Sequence, residues 1–299
     1  MDQPAQKAHR SALFLYSDAT GTGQVNRALD AVLSRLRNAF ETLDVVQTSS
    51  MEEGKRKAIE ACGKYDALIF SGGDGTFHHI INALVGKKNP PTLGYINGGT
   101  LCDIGKNFGI YGSWRRAVKI IEQGHTCGFD VGKINDTYFA YVAAVGAFAE
   151  IPYVTERKYK KHLGAIAYYA LAVKDVFIPE RVDCHVVADG KAYDVRTPFI
   201  LCLNGKYVGG FRVNERKSSM HDGLFELYLT KPGLFNGLLH YLFFKARTTK
   251  IKASSFSIKT SYPLPWDLDG EACMTGDIDI SCVESGLRVF CAKKYAEAE

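Results

Sequence analysis

DALIFSGGDGTFHHIINALVGKKNPPTLGYIN, Asp66 to Asn97, decides how the chain is read. DALIFS is an apolar run of strand length. A loop of glycines around Asp74 and Thr76 follows, then TFHHIINALVG takes up helical spacing, and TLGYIN is a second strand. Strand, loop, helix and strand make a βαβ unit, and such units build a parallel sheet. Outward from it the alternation continues. SALFLYS and LDVVQT are strand-like. QVNRALDAVLSRLRNAF is helical, with Ala28, Val32, Leu36 and Phe40 as its apolar positions, and EEGKRKAIEACGKY and SWRRAVKIIEQG are helical too. The expected first domain is a three-layer α/β domain with a mainly parallel sheet. Ligands of such sheets bind beyond the carboxyl ends of the strands.

Near Gly128 the rhythm changes. GFDVGKINDTYFAYVAAVGA reads as two strands joined at an Asn-Asp turn, and LGAIAYYALAVKDVF as one helix. CHVVADGKAYDV is a hairpin around Asp189-Gly190, and FILCLN, FELYLT, SFSIKTS and DIDISCV are further short strands. Short strands with turn signals imply a largely antiparallel β domain. The expected division is 1–130, which residues 286–299 could complete, and 131–285.

The 299 residues are 46% hydrophobic and 23% charged, ordinary globular material with a mean hydropathy of -0.10. No apolar run approaches the roughly 20 residues that span a bilayer. The polar start MDQPAQKAHR, with only ALFLY behind it, gives no signal peptide, so the expected address is cytoplasmic. The eight cysteines lack CxxC spacing, and Cys202, Cys282 and Cys291 lie in apolar runs. They read as reduced core thiols rather than disulfides or zinc ligands. A net charge of +5 does not demand a nucleic-acid partner, and none is expected. The sequence does not decide between a monomer and a homodimer.

Glycines let main-chain N–H groups point outward and let a ligand approach closely. At a strand's end, beside a helix start, such amides cradle an anion. Asp74 inside the cradle makes sense if a cation screens it or if it holds an amide or water that organises the loop. A plain tight turn with a helix cap explains SGGDGT equally well when it is taken alone. Three more segments change the balance. YINGGTLCDIGKNFGI repeats the glycine-threonine-acid design, KYVGGFRVNERKSSMHDGLFEL carries paired glycines and an Asp-Gly turn, and WDLDGEACMTGDIDI sets Asp267, Asp269 and Glu271 around a turn.

Together these segments resemble the diacylglycerol kinase catalytic family, the lipid kinases that include sphingosine kinases and their bacterial relatives. The fold this implies is an N-terminal NAD kinase/phosphofructokinase-like domain followed by the antiparallel one. GGDGT resembles the family's ATP phosphate loop, which implies nucleotide contacts at Gly72, Gly73, Asp74, Gly75 and Thr76. INGGTLCD is similar to the second loop and adds Gly99, Thr100 and Asp103. SDATG resembles the adenine-nucleotide loop, adding Ser17, Asp18, Ala19, Thr20 and Gly21, with Thr48 as a further contact. MHDGLFEL is similar to the Asp-Gly-Leu segment and implies Mg2+ at Asp222, with backbone oxygens near Ser219 and Leu224. DLDGE resembles the Asp-Gly-Glu signature, whose acids lie by the transferred phosphate. The chain departs from the family at His78, His79, Asn97, Cys102 and Ser17-Asp18.

The resemblance implies phosphoryl transfer from ATP to diacylglycerol or a related long-chain alcohol. Glu271 is the candidate general base, with Asp269 and Asp74 as the other catalytic acids. In an extended segment Asp269 and Glu271 would share one face. Taken without the family they read as a solvated turn. The segment from Leu227 to Trp266 contains Lys231, Lys245, Arg247, Lys250, Lys252 and Lys259 and no acid. A second basic cluster, Arg157, Lys158, Lys160, Lys161 and His162, precedes the apolar helix with Tyr168 and Tyr169. Peripheral contact with an anionic membrane that presents the lipid substrate is the resulting expectation, against the plainer reading of a solvated basic face. The rival functions are an NAD kinase-like enzyme, which would share GGDGT, and a catalytically silent nucleotide- or lipid-binding regulator.

Overall fold

The computed structural model describes residues 11–17, 23–99, 101–146, 182–214, 218–230 and 248–296. The helix expected at 163–177, the basic cluster at 157–162 and GLFNGLLHYLFFKA at 233–246 lie outside the described residues. The chain forms two units, 1–129 with 285–299, and 130–284.

In the first unit β1 (Ser11–Tyr16) leads to a helical turn α1 (Gln24–Arg27), α2 (Leu29–Ala39) and β2 (Thr42–Gln47). Then come α3 (Met51–Glu60), β3 (Ala67–Gly72), α4 (Asp74–Leu84), β4 (Thr92–Asn97), α5 (Asp103–Asn107) and α6 (Trp114–Gln123). The strands lie in the order β2-β1-β3-β4 with every pairing parallel. Buried along its whole length, β3 has the pattern of a strand covered on both faces. α3 packs with α4 and α2 with α6, while α4 meets β3 and α6 meets β4. The one helix expected from Gln24 to Phe40 is interrupted at Ala28, whose backbone (φ -117, ψ 17) leaves helical geometry. Val32, Leu36 and Phe40 still face the core. Phe77 of α4 is fully buried, with its ring centroid 5.7 Å from Phe70, 5.4 Å from Tyr95 and 6.0 Å from Phe129.

β5 (Thr126–Ile134) carries the chain out of the first unit, and β18 (Ile278–Phe290) brings it back. In the second unit β6 (Thr137–Phe139) pairs with β5, their turn opening at Asn135, with φ 47. β7 (Val142–Gly146), β8 (Val182–Ala188), β9 (Lys191–Thr197) and β10 (Phe199–Leu203) follow, then the short pair β11 (Tyr207–Val208) and β12 (Phe211–Arg212). β13 (Phe225–Thr230), β14 (Thr248–Ala253), β15 (Ser255–Thr260), β16 (Pro265–Leu268) and β17 (Glu271–Thr275) complete it. One sheet runs β18-β15-β8-β9 and the other β14-β13-β10-β7-β16-β17, all antiparallel. The β8–β9 hairpin turns at Asp189 and Gly190, both at positive φ as a type I′ turn requires. Trp266, Phe139, Phe225, Leu227, Ile258 and Ile280 sit in its core. Among the described residues the cysteines are free thiols, and no helix is long and apolar enough to cross a membrane.

Of the adjacent histidines on α4, His78 is buried and its ring nitrogen lies 3.4 Å from the Asn82 amide. His79 is half-buried, and its imidazole is pushed down from 6.5 to about 4, first by burial, then by His78 and Lys55. The unfolded chain therefore takes up this proton before the folded one does, so the contribution to stability is present above pH 6.5 and lost as pH falls toward 4. Melting temperature measured from pH 7 to 4.5 should fall less steeply in His79→Gln than in the parent; parallel curves would contradict this.

Candidate functional site

The loops after β3 and β4 pack backbone against backbone at Gly99, and Gly72 makes room for a side chain of its own loop. A side chain at Gly99 would begin 2.6 Å from the Gly73 Cα, and one at Gly72 would begin 2.3 Å from the Thr76 hydroxyl. The Gly98 N–H donates to the Gly72 carbonyl at 2.7 Å, and the Tyr95 hydroxyl donates to the same oxygen at 3.0 Å. Asp74 opens α4, but its carboxylate serves α5: Oδ2 accepts from the Asp103 N–H at 3.2 Å and Oδ1 from Ile104 N–H at 3.1 Å. The acid at the centre of the glycine loop thus ties it to the second loop through the first amides of a neighbouring helix. Asp103, 1% exposed, in turn accepts from the Lys106 ammonium at 2.7 Å. Between them Cys102 holds a left-handed backbone with φ 50, which asparagine tolerates better than cysteine. Its thiol is pushed up to about 12, by burial and then by Asp74, and stays neutral.

Ser17 follows β1 and Thr48 follows β2, so both stand with these loops at the carboxyl edge of the sheet. Thr48 donates through N–H and hydroxyl to the Tyr16 carbonyl, at 2.8 and 3.2 Å. Ser17 lends its carbonyl to the Asn26 amide at 3.1 Å. Asp18, Ala19, Thr20, Gly21 and Thr100 lie outside the described residues. Two buried polar atoms at the same edge, Ser71 Oγ and Asn97 Oδ1, have no hydrogen-bond partner among the described residues. Such atoms call for a ligand or water.

In the second unit Asp269 and Gly270 form the β16–β17 turn, with φ 57 and 89. Asp269 is therefore a turn residue, and the extended segment that would align it with Glu271 is not present. Its carboxylate, 2% exposed, accepts three main-chain N–H groups: Ala140 at 2.7 Å, Tyr141 at 2.9 Å and Val142 at 3.1 Å. Asp267, also buried, accepts from the Gly270 N–H at 2.9 Å. These two acids are not a solvated turn; they fix the hairpin on β7. Glu271 is the first residue of β17, opposite Leu268, and is half-buried.

The Asp-Gly-Leu turn is closed by its own side chains. Asp222 Oδ1 accepts from the Leu224 N–H at 3.2 Å, and Ser219 Oγ accepts from the His221 N–H at 3.3 Å. Sequence reasoning passed over three residues here. Asp130, 1% exposed, accepts from the Gly223 N–H at 2.8 Å and donates its own N–H to the Met220 carbonyl at 2.6 Å. Asn204 donates to the Asp130 and Ala140 carbonyls at 2.5 and 2.9 Å, while its buried Oδ1 lacks a partner among the described residues. Glu226 accepts from Asn214 at 2.8 Å and Ser218 at 3.0 Å. The available signal was an acid or amide inside an apolar strand: GFDVGKI, FILCLNG and LFELYL.

Residues 11–134 match the family model described as the diacylglycerol kinase catalytic domain. A diacylglycerol kinase of Staphylococcus aureus (strain bovine RF122 / ET3-1) is 27% identical over 271 residues, 88% of this chain and 86% of that one. That of Staphylococcus carnosus (strain TM300) is 28% identical over 274 residues, 88% and 89%. The crystal structure of a diacylglycerol kinase from Bacillus anthracis str. Sterne superposes with a TM-score of 0.79 at 21% identity, over 97% of this chain and all of that one. Another structure from that organism gives 0.85 at 23% identity, over 99% and 100%, so the fold is shared. Residues 11–134 thus match the diacylglycerol kinase catalytic domain, and the chain is similar to diacylglycerol kinases over most of its length. This similarity supports a lipid kinase, a phosphotransferase.

The close approach of the two loops makes their glycines unequal. Gly99→Ala should destabilise the protein by about 1–3 kcal/mol, because the added carbon meets backbone at 2.6 Å. Gly73→Ala, where the nearest atom is 3.4 Å away, should cost less than about 1 kcal/mol. Urea denaturation of both variants gives the comparison.

Proposed function

We propose that the protein transfers the γ-phosphoryl group of ATP to the hydroxyl of diacylglycerol or a related long-chain lipid alcohol. The observation that carries this is the carboxyl edge of the first unit. There Asp74 ties two glycine loops together, and Ser71 Oγ and Asn97 Oδ1 stand buried without partners among the described residues. That edge has the chemistry of a polyphosphate cradle: main-chain amides, a threonine hydroxyl at Thr76, and Lys106 on α5. Ser17, Thr48, Gly72, Gly73, Gly75, Gly99, Thr100 and Asp103 complete the nucleotide contacts, with Asp18, Ala19, Thr20 and Gly21 toward the base. Asp74 acts as a positioning residue for the loop.

Phosphoryl transfer to an alcohol needs alignment, charge neutralisation and an acceptor for the hydroxyl proton. Glu271 takes that proton. Asp269, engaged by three amides, holds the turn from which Glu271 projects and is a positioning residue. Magnesium, when bound, would supply positive charge that braces the Asp-Gly-Leu turn as a structural ion. The Asp-Gly-Leu turn fits it: Asp222 is a hard oxygen donor, with Asp130 and Glu284 near the same turn. Cys282 in this surrounding is pushed up to about 12, by burial and then by Asp130, Glu284 and Asp222, and so is no soft competitor. Among the described residues no three His, Cys, Asp or Glu side chains converge as a cage, so main-chain oxygens near Ser219 and Leu224 and water would complete the shell.

The acceptor is met at a membrane surface. The support is the basic clusters of the sequence, less Lys250 and Lys252, which are engaged in ion pairs with Glu226 and Asp222. Purified protein with labelled ATP and magnesium, offered a lipid panel and NAD, should put label into the organic phase. Label on NAD, or nucleotide binding without transfer, would overturn the reading. Glu271→Gln should slow transfer by about 10²–10⁴-fold with nucleotide affinity nearly unchanged. Asp74→Asn should instead weaken nucleotide binding by about tenfold, one lost charge-assisted contact. Equal losses of binding in both would contradict the division of roles.

A further inference from the structure

The Asp-Gly-Leu turn already has a cation beside it. Lys252 of β14 holds its ammonium 2.8 Å from Asp222 Oδ2 and 3.8 Å from Glu226 Oε1. The register of β13 and β14 sets Glu226 directly opposite Lys252, so the lysine reaches the buried carboxylate across the ladder and the turn acid beyond it. Glu226 is 2% exposed, and Asn214 and Ser218 fix it, with Lys250 3.8 Å away. Asp222 and Lys252 are more open, with side-chain exposures of 29% and 39%. One end of this arrangement is therefore rigid and the other can rearrange. Among the described residues, the charges facing the turn include Asp222, Asp130, which holds the Gly223 amide, and Glu284, whose carboxylate lies 3.2 Å from where a Gly223 side chain would begin. Lys252 is the ammonium that meets Asp222 directly.

An ammonium and a divalent cation cannot share one carboxylate oxygen without repelling each other. We infer that Lys252 is a tethered counter-ion of Asp222 that competes with the divalent cation, and that Glu226 receives its ammonium when the cation binds. This rests on reading the turn as the magnesium site. In the cation-free protein Lys252 balances Asp222, so the turn keeps its shape without metal. When magnesium arrives, the lysine withdraws toward Glu226 along a ladder that already places the two together. Lys252 thereby sets the affinity and Glu226 sets how readily the lysine yields. Both are positioning residues.

The test is a magnesium titration of the thermal unfolding midpoint without nucleotide, using the full chain and the variants Lys252→Met, Lys252→Arg, Glu226→Gln and Asp222→Ala. The parent should be stabilised saturably and Asp222→Ala should lose the response. Lys252→Met should lower the half-saturating concentration by about tenfold, the usual weight of one charge at such range. Lys252→Arg should stay within about threefold of the parent. Glu226→Gln should raise the half-saturating concentration, because the lysine loses its alternative partner. Mere loss of stability would move both variants the same way, so opposite shifts separate competition from packing. If Lys252→Met does not fold, Glu226→Gln decides alone: an unchanged or lowered value overturns the inference. A parent and Asp222→Ala that respond alike would sink the magnesium reading and the inference with it. A lost response in Asp222→Ala beside an unchanged or weaker one in Lys252→Met would sink the lysine's role only.

Discussion

The grip of the Asp74 carboxylate on the first amides of α5 is the constraint from which the first unit's site follows. A carboxylate at a helix start is stabilised by the unpaired N–H groups there and by the helix dipole. Here the two belong to different loops, so one side chain locks the ends of adjacent strands together. Close approach then demands glycine at Gly99, while Gly72 leaves room for Thr76 of its own loop, and the Tyr95 hydroxyl and the Phe77 ring support the loops from the core side. The Asp74 charge that would repel a phosphate is partly balanced by these main-chain donors.

The second unit uses acids in the same way. Asp269 on Ala140, Tyr141 and Val142, and Asp130 on Gly223, are side chains standing in for strand partners where the ladder breaks. Each is buried, and each would be expensive to bury without those donors. Glu271 differs from both: it opens a strand at half-burial, one residue beyond a turn that its neighbours hold still.

The sequence made the fold legible because its signals were local. β3 and β4 were readable as apolar runs, and the β8–β9 hairpin announced itself through Asp189-Gly190. The break at Ala28 was invisible, since the residues around it keep helical spacing. β14 was missed because TTKIKA alternates threonine and lysine with a single isoleucine, and its partner strand, not its composition, makes it a strand. At the site, glycine loops and turn acids could be found by pattern. What each carboxylate touches could not: Asp74 finds its donors 29 and 30 residues on, and Asp269 finds its own 127 to 129 residues back. Contacts that distant leave no periodicity.

β18 does not end where the second unit ends. Its last residues belong to the first unit: Val289 is in register with Leu93 of β4 and Phe290 packs against Phe40, while Ala292, just beyond the strand, donates its N–H to the Phe108 carbonyl. The sheet begun at Ser11 is thus finished by a strand from far along the chain. A ribosome making this chain would hold those first strands with one flank of their sheet unpaired until β18 has been made. A chain cut short before β18 would therefore leave the domain encoded well ahead of the cut unfinished.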